Sequence, residues 1–163
     1  MIVTFEHIRK VRPIADNIDD EIRILPYMEE VEALDLIPAI GAGLYKQLNN
    51  GEIEALDDLL NGCYFSGNCG QERRHEGLIK AVAYLSYARF VRNNQINVTA
   101  FGATLKTTQF SEPIDEKMLI RHSNEAEKIG QAYLNGVIDF LRYKGLLCTT
   151  KKIFKNKFKA IGD

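Results

Sequence analysis

Apolar residues recur at helical spacing along most of the chain. The strongest run, Glu76 to Val91, is apolar on nearly every side, and a helix of that kind is buried in a core. A longer run begins at Ser111-Glu112-Pro113 and continues to about Leu147, with one apolar stripe opposite its charges. The pattern predicts a mainly α fold, a helical bundle with one long C-terminal helix. The stripe of that helix comprises Leu119, Ala126, Ile129, Tyr133, Val137, Phe140 and Leu141.

Shorter helices are predicted over 26–34 and 53–60, and between them a break at 35–41 leads into a short apolar helix that ends at 49–51. The first begins at Pro26, because proline is tolerated in a first helical turn. Its apolar face would contain Tyr27, Val31 and Leu34. Residues 35–41 interrupt the pattern. Gly41-Ala42-Gly43 is interpreted as a helix junction where backbones come close, since a phosphate-binding loop needs a preceding strand and a third glycine.

Four segments depart from the helical pattern. Pro13 disfavours helical angles in the residue before it, so residues 1–17 are predicted to be an extended N-terminal arm. Residues 63–77 are rich in Gly, Asn and charge and are predicted to be a loop. Residues 93–110 alternate β-branched residues around Gly102 and predict a small β-hairpin or extended-loop insertion. Residues 148–163 form a basic tail.

Composition narrows the class of protein. A chain of 163 residues is expected to form a single domain, residues 1–163, with a substantial core. The formal net charge of -1 lacks the basic excess usual in nucleic-acid-binding domains. The N-terminus does not resemble a signal peptide, and three cysteines do not make a disulfide framework. These features predict a soluble intracellular protein with reduced thiols.

The cysteines and histidines offer weak candidates for chemistry. Cys63, Cys69 and His75 lie six residues apart in turn, whereas zinc ligands usually come in pairs two to four residues apart. A fourth ligand would have to be His122 or Cys148, far away in the sequence. His7, His75 and His122 lie in no recognisable nucleophile motif, and His122 is expected to be solvated. We therefore expect no enzymatic activity, no cofactor and no metal site.

The charged residues suggest contacts rather than catalysis. The carboxylates Asp57, Asp58, Glu29, Glu30 and Glu32 are expected to lie on solvated helix faces. The basic tail interleaves two phenylalanines with lysines, a composition suited to phosphates or to an acidic protein surface, although a solvated terminus is the simpler interpretation. Its lysines are Lys151, Lys152, Lys155, Lys157 and Lys159.

Three stretches carry a resemblance to a known group of proteins. They are the run from Ile24 to Tyr45, Glu76-Gly77-Leu78 entering an Ala- and Tyr-rich helix, and Asn97 to Gly102 leading to Phe110-Ser111-Glu112-Pro113. Together they are similar to small structural proteins of Bacteroidetes prophages, which resemble the head-tail connector (head completion) proteins of tailed phages. The resemblance covers most of residues 20–147 and rests on apolar residues, glycine and proline.

The resemblance implies a structural subunit that forms a ring below the portal protein, joins it to the tail, and surrounds a channel for DNA. Its partners would be other copies of itself, the portal protein and a tail or head completion protein, with no membrane and no sequence-specific DNA contact. It would occupy the bacterial host cytoplasm during assembly and then the virion. The β-rich loop and the basic tail would make the contacts, through Val98, Phe101, Thr104, Lys106 and the five tail lysines.

Two other functions remain open from the sequence. One is a small helical nucleic-acid-binding or regulatory domain acting through the lysine-rich tail, which salt-dependent DNA binding would favour. The other is a small helical enzyme, which a deep polar pocket with perturbed titrating groups would favour.

Overall fold

The computed structural model describes residues 2–14, 18–66, 70–94, 96–99, 102–105 and 115–147. Within these residues the fold is mainly α, with a long C-terminal helix and small antiparallel hairpins, which confirms the predicted fold class. The α-helices are α1 (Phe5–Val11), α2 (Asp20–Arg23), α3 (Leu25–Val31), α4 (Ile37–Ile40), α5 (Ala42–Asn49), α6 (Leu56–Asn61), α7 (Leu78–Asn93) and α8 (Glu116–Tyr143). A π-helical turn spans Glu32–Leu36, and the strands are β1 (Tyr64–Ser66), β2 (Glu72–Arg74), β3 (Ile96–Thr99) and β4 (Gly102–Leu105).

The core is built on α7 and α8, which run antiparallel along each other. The predicted burial of α7 is confirmed, since nine of its residues are buried. A Cβ atom on Gly130 would lie 2.7 Å from Leu85 Cγ, so this glycine lets the two helices approach closely. The hydroxyl of Ser123 donates to the carbonyl oxygen of Ala88 at 2.9 Å inside the interface. In the predicted stripe of α8, the fully buried members are Ala126, Val137, Phe140 and Leu141.

The π-helical turn overturns the predicted break at residues 35–41. Helical backbone runs from Leu25 to Ile40 with one extra residue accommodated in the turn. Val31 and Leu36 are both buried although they lie five positions apart, a spacing that an α-helix would not place on one face. Leu34, predicted to be on the buried face, is 63% exposed because the added residue rotates it outward.

The extended N-terminal arm predicted for residues 1–17 is also wrong in part. Residues Phe5–Val11 form α1, whose Ile8 is completely buried, and α1 packs against α7. Pro13 affects only its neighbour, since Arg12 has extended angles (φ -152°, ψ 143°) and ends the helix. Val3 before the helix is buried as well, so this segment belongs to the core.

The close approach of two backbone segments occurs at a different pair of glycines from the pair that the sequence indicated. Gly41 has a φ of 85° between α4 and α5, but a Cβ on Gly41 or Gly43 would meet nothing within 4 Å. The close backbone approach predicted there is therefore wrong. It occurs instead between Gly62 and Gly77, where a Cβ on Gly77 would lie 2.4 Å from the carbonyl oxygen of Leu60. This contact joins the end of α6 to the start of α7.

The hairpins lie at opposite ends of the α7–α8 pair. Residues 63–77, predicted to be a loop, contain the hairpin β1–β2, in which Phe65 pairs with Arg73. The predicted hairpin within residues 93–110 is confirmed as β3–β4, which follows the end of α7 and precedes α8. Because the helices are antiparallel, β1–β2 contacts the C-terminal end of α8, where Phe65 meets Phe140 at 5.6 Å between ring centroids.

Candidate functional site

The hairpin β1–β2 brings together two residues that the sequence marked as candidates for chemistry. Cys63 precedes β1 and His75 follows β2, and the amide of His75 donates to the carbonyl oxygen of Cys63 at 3.1 Å. Their side chains also meet, with Cys63 Sγ 3.4 Å from His75 Nε2. The pair is therefore fixed by strand pairing and not by the six-residue spacings in the sequence.

Aromatic rings surround the imidazole of His75, which is 2% exposed. It stacks on Phe140 at 4.5 Å between centroids and meets the edge of Phe65 at 5.9 Å. Gly136 makes room for it, since a Cβ there would lie 3.3 Å from His75 Cβ. Among the described residues, His75 Nδ1 has no hydrogen-bond partner. The ring thus serves as a packing element between the hairpin and α8.

Burial drives both side chains towards their neutral forms. It lowers the pKa of His75, against the opposing effects of Asp58 and Glu76. It raises the pKa of the Cys63 thiol, as does Asp58, while Lys144 acts in the opposite direction. A cysteine nucleophile needs a thiolate beside a cationic histidine. The environment favours the neutral thiol and neutral imidazole, so this pair lacks the electrostatics of a Cys–His nucleophile.

Of the side chains suggested as zinc ligands, only Cys63 and His75 are adjacent among the described residues. Cys63 and His75 are adjacent, but Cys69 and Cys148 lie outside the described residues. His122 is bound elsewhere, with its Nε2 3.0 Å from the hydroxyl of Tyr87. Within the described part of the chain, no three His, Cys, Asp or Glu side chains are grouped so as to hold a metal ion.

The remaining histidine, His7, belongs to the first turn of α1. Its Nδ1 accepts a hydrogen bond from the amide of Thr4 at 3.1 Å, which closes a capping box at the start of the helix. The pair Thr4 and His7, three residues apart, was a signal for α1 that the sequence reasoning missed. It explains why a helix forms ahead of Pro13.

One carboxylate contradicts the expectation of a solvated face. Glu32, in the π-helical turn, is only 9% exposed. Its Oε1 accepts from the amide of Ile2 at 3.1 Å and its Oε2 from the hydroxyl of Tyr45 at 2.6 Å. A buried carboxylate needs such partners. Glu32 therefore ties the N-terminal segment and α5 to the π-helical turn, whereas Glu29 is exposed as predicted.

The residues predicted to contact partners are described only in part. Val98 and Thr104 lie in β3 and β4, where Val98 pairs with Ala103 and Asn97 pairs with Thr104. In the portion of the chain that the structure describes, β3 and β4 pair only with each other. The other predicted contact residues lie outside the described residues, namely Phe101, Lys106, Lys151, Lys152, Lys155, Lys157 and Lys159.

A surface that the sequence reasoning missed lies at the other end of the helix pair. We call it the basic end and define it by Tyr64, Arg73, Arg74, Arg142 and Lys144. Arg73 and Arg142 both contact Asp139, at 3.5 and 3.3 Å, and the three side chains are each about half exposed. The guanidinium of Arg74 lies 5.4 Å from the centre of the Tyr64 ring. The adjacent arginines of β2 were the only sequence signal for this surface.

Comparison with known proteins gives one family. The model described as "Family of unknown function (DUF6712)" matches residues 36–145, from the π-helical turn to the end of α8. No curated protein and no solved structure matches the chain. Among the described residues, no helix has both the length and the apolar character needed to cross a membrane.

Proposed function

The chain belongs to the DUF6712 family, and we propose that it is a structural subunit of a phage or prophage head-tail connector. In this role it forms a ring between portal and tail around the DNA channel, first in the bacterial host cytoplasm and then in the virion. The resemblance over residues 20–147 motivates the proposal, and the region of resemblance overlaps the family match at 36–145. A ring subunit works by contacts, so its contact elements are the features to identify.

The observation that carries the proposal is the hairpin β3–β4. In chain order it lies between α7 and α8, the two helices that form the core. A two-stranded hairpin alone is marginally stable in water. Within the described residues it gains no further strand, and both outer edges are left to bond with another chain. These are properties suited to an element that is completed by a neighbouring subunit or by the portal.

The two helices that flank the hairpin in the chain are joined by side-chain contacts. Arg92 near the end of α7 contacts Glu127 at 2.7 Å and Asn124 at 2.7 Å on α8. Tyr87 and His122 form a second cross-link between the same helices, at 3.0 Å. These contacts hold the end of α7 against α8, next to β3–β4 in the chain.

The test is co-purification of the full chain with the portal protein encoded nearby, followed by electron microscopy of the complex. We expect a ring of copies seated on the portal, with β3–β4 at a contact. Replacing residues 96–105 with a Gly-Ser linker should abolish the ring. The control variant Lys128→Ala alters an exposed position on α8 and should leave the ring intact. Absence of any association with an assembled portal would refute the proposal.

The basic tail is a second proposed contact, with the portal or a neighbouring subunit. Its five lysines and single acidic residue give residues 148–163 a net charge of +4. Deleting these residues should weaken assembly on the portal, and the difference from the full chain should shrink at raised salt, because exposed charges are screened. Unchanged assembly of the truncated chain would remove the tail from the proposal while leaving the hairpin contact standing.

A further inference from the structure

The π-helical turn leaves a large apolar side chain on the surface. Leu34 is 63% exposed. Glu29, Glu30 and Ala33 are also exposed, and spacings of three and four positions place these residues and Leu34 on one side of the helical segment. We call the four residues the Leu34 patch. A single exposed leucine is common on protein surfaces, so the charges around it decide what the patch fits.

The charges around the Leu34 patch are mainly negative. Glu30 and Asp35 share Arg89, whose guanidinium contacts them at 3.3 and 2.6 Å. With Glu29 added, three carboxylates stand beside one cation, an excess of two negative charges. Arg23, the preceding cation in the chain, lies seven positions before Glu30, about 10 Å away along a helix. The patch therefore fits a partner with an apolar side chain between positive charges.

An exposed patch of this kind lies on the C-terminal end of α8 beside β1–β2. Tyr143 is 53% exposed, and its ring lies 5.6 Å from that of Phe65 between centroids. Arg73, which pairs with Phe65 in the hairpin, and Arg142 both contact Asp139, one helical turn before Tyr143. The Tyr143 patch, Arg73, Asp139, Arg142 and Tyr143, thus has two cations and one carboxylate, a net charge of +1. Tyrosine and arginine are also enriched among the strongest contacts of protein interfaces.

Other charged residues nearby do not cancel this excess. Arg74 points to the opposite face of the hairpin, since side chains alternate along a strand, and there it contacts Glu76 at 3.3 Å. Asp58 and Lys144 act in opposite directions on the pKa of the Cys63 thiol. Their charges are of opposite sign, so together they leave the balance of the Tyr143 patch unchanged.

The two patches cannot meet within one chain. Arg89, which contacts the Leu34 patch, lies near the end of α7, whereas the Tyr143 patch lies beside the hairpin that precedes Leu78. Leu78 and Arg89 are eleven positions apart, about 17 Å along the helix. The patches can therefore pair only between two copies. Such a contact joins different surfaces of the two partners, and repeating it builds a ring or a filament.

We propose that the Tyr143 patch of one copy binds the Leu34 patch of the next copy. Tyr143 covers Leu34, while the two arginines approach Glu29 and Glu30. The inference deepens the proposed function and rests on it in one respect, since a ring is built from contacts of this kind. It names the two surfaces that the ring joins, both of them outside β3–β4.

Sedimentation of the full chain, without portal or DNA, tests the contact. Self-association should increase with protein concentration. It should weaken by at least about fivefold between about 0.1 and about 1 M salt, because the Debye length falls from about 10 to about 3 Å. A contact made by apolar burial alone would not weaken in this way.

Two charge-altering variants test the pairing of the surfaces. Arg73→Glu/Arg142→Gln changes the Tyr143 patch from +1 to -2. Glu29→Lys/Glu30→Gln changes the charge around the Leu34 patch from -2 to +1. Each variant alone should associate at least about 10-fold more weakly than the unaltered chain, because like charges then face each other.

Mixing the two variants gives the decisive measurement. Each variant presents the charge that the other lacks, so an equal mixture should regain the association of the unaltered chain. This recovery is possible only if both variants are folded. The control Lys117→Glu/Lys128→Gln lowers the net charge by the same amount as the arginine variant, at exposed positions of α8. It should associate within about twofold of the unaltered chain.

Four outcomes would overturn the proposal. They are an unaltered chain that stays monomeric up to about 1 mM, association that salt leaves unchanged, a mixture that stays as weak as its components, and an equal loss in the control. Because this assay uses no portal, the contact between copies can fail while binding to the portal stands, and binding to the portal can fail while the contact stands.

Discussion

Gly77 provides the sharpest test of how the fold places the hairpin β1–β2. Its backbone has a φ of 92° and a ψ of 156°, a region that only glycine adopts without strain. A methyl group there would lie 2.4 Å from the carbonyl oxygen of Leu60 and 2.8 Å from the amide nitrogen of Gly62. The contacting atoms are backbone atoms, so no side-chain rotation can relieve the overlap.

The substitution Gly77→Ala should therefore cost free energy twice. Forcing alanine into this backbone region costs roughly 1–3 kcal/mol. Displacing the backbone around Gly62 adds about 1–3 kcal/mol, as for other overpacked sites. The sum, roughly 2–6 kcal/mol, is a large part of the stability of an ordinary domain. For a chain of this length it should lower Tm by about 10 °C.

The matched control is Gly43→Ala in α5, where a Cβ would meet nothing within 4 Å and φ is not positive. Alanine stabilises a helix interior relative to glycine by roughly 0.5–1 kcal/mol, so Tm should rise slightly. Both variants are measured by circular dichroism at 222 nm during heating and in urea. If Gly77→Ala unfolds within about 2 °C of the unaltered chain, the contact between Gly62 and Gly77 does not hold the hairpin as described.

Other predictions concern the buried polar side chains. Glu32→Ala should lower the free energy of unfolding in urea by about 1–3 kcal/mol, because two partly buried donors lose their acceptor. Glu29→Ala at an exposed position should change it by less than about 0.5 kcal/mol, and equal effects would contradict the role of Glu32. Burial lowers the pKa of His75, so the unfolded chain binds this proton at higher pH than the folded chain. The contribution of neutral His75 to the free energy of unfolding is complete above the unfolded pKa of 6.5 and is lost as pH falls below that value. The urea midpoint of the unaltered chain should therefore decrease between pH 7.5 and 5.5, and the midpoint of His75→Phe should decrease by less. Burial raises the pKa of the Cys63 thiol, so peptide mass spectrometry should show slower alkylation of Cys63 by iodoacetamide at pH 7.5 than in the urea-unfolded chain, and equal rates would refute its shielding.

Periodicity sufficed for the elements that are long and buried. The helices α7 and α8 were predicted from apolar spacing because each packs along several turns, so many residues report the same face. The hairpin β3–β4 was predicted from alternating β-branched residues around Gly102. In each case the local preference of the residues agrees with their tertiary surroundings.

The missed features depend on contacts between distant residues. The strands of β1–β2 have three residues each, too few for a visible alternation, and they are stabilised by Phe65 packing on Phe140. The π-helical turn adds one residue and so shifts the periodicity that was used to place Leu34. The carboxylate of Glu32 resembles any surface acid until its bonds to distant partners are known.

The same difference between local features and contacts of distant residues applies to the candidate site. Sequence spacing placed Val98 and Thr104 correctly in a hairpin, since both belong to one local element. It could not assemble the basic end, because Arg73 and Arg142 meet only through Asp139 and lie 69 positions apart in the chain. A surface made from two elements needs the fold before its charge can be counted.

The antiparallel arrangement of α7 and α8 places the two hairpins at different ends of the helix pair. The hairpin β3–β4 lies where α7 ends, and β1–β2 lies where α8 ends, about 24 Å away for a 16-residue α7 at 1.5 Å per residue. A ring requires that one surface of a subunit meet a different surface of the next. If β3–β4 makes the proposed subunit contact, replacing residues 96–105 should abolish the ring. Substitution of Arg73 and Arg142 at the opposite end then shows whether the basic end is the second surface, since loss of the ring in both cases would place both ends in the contact.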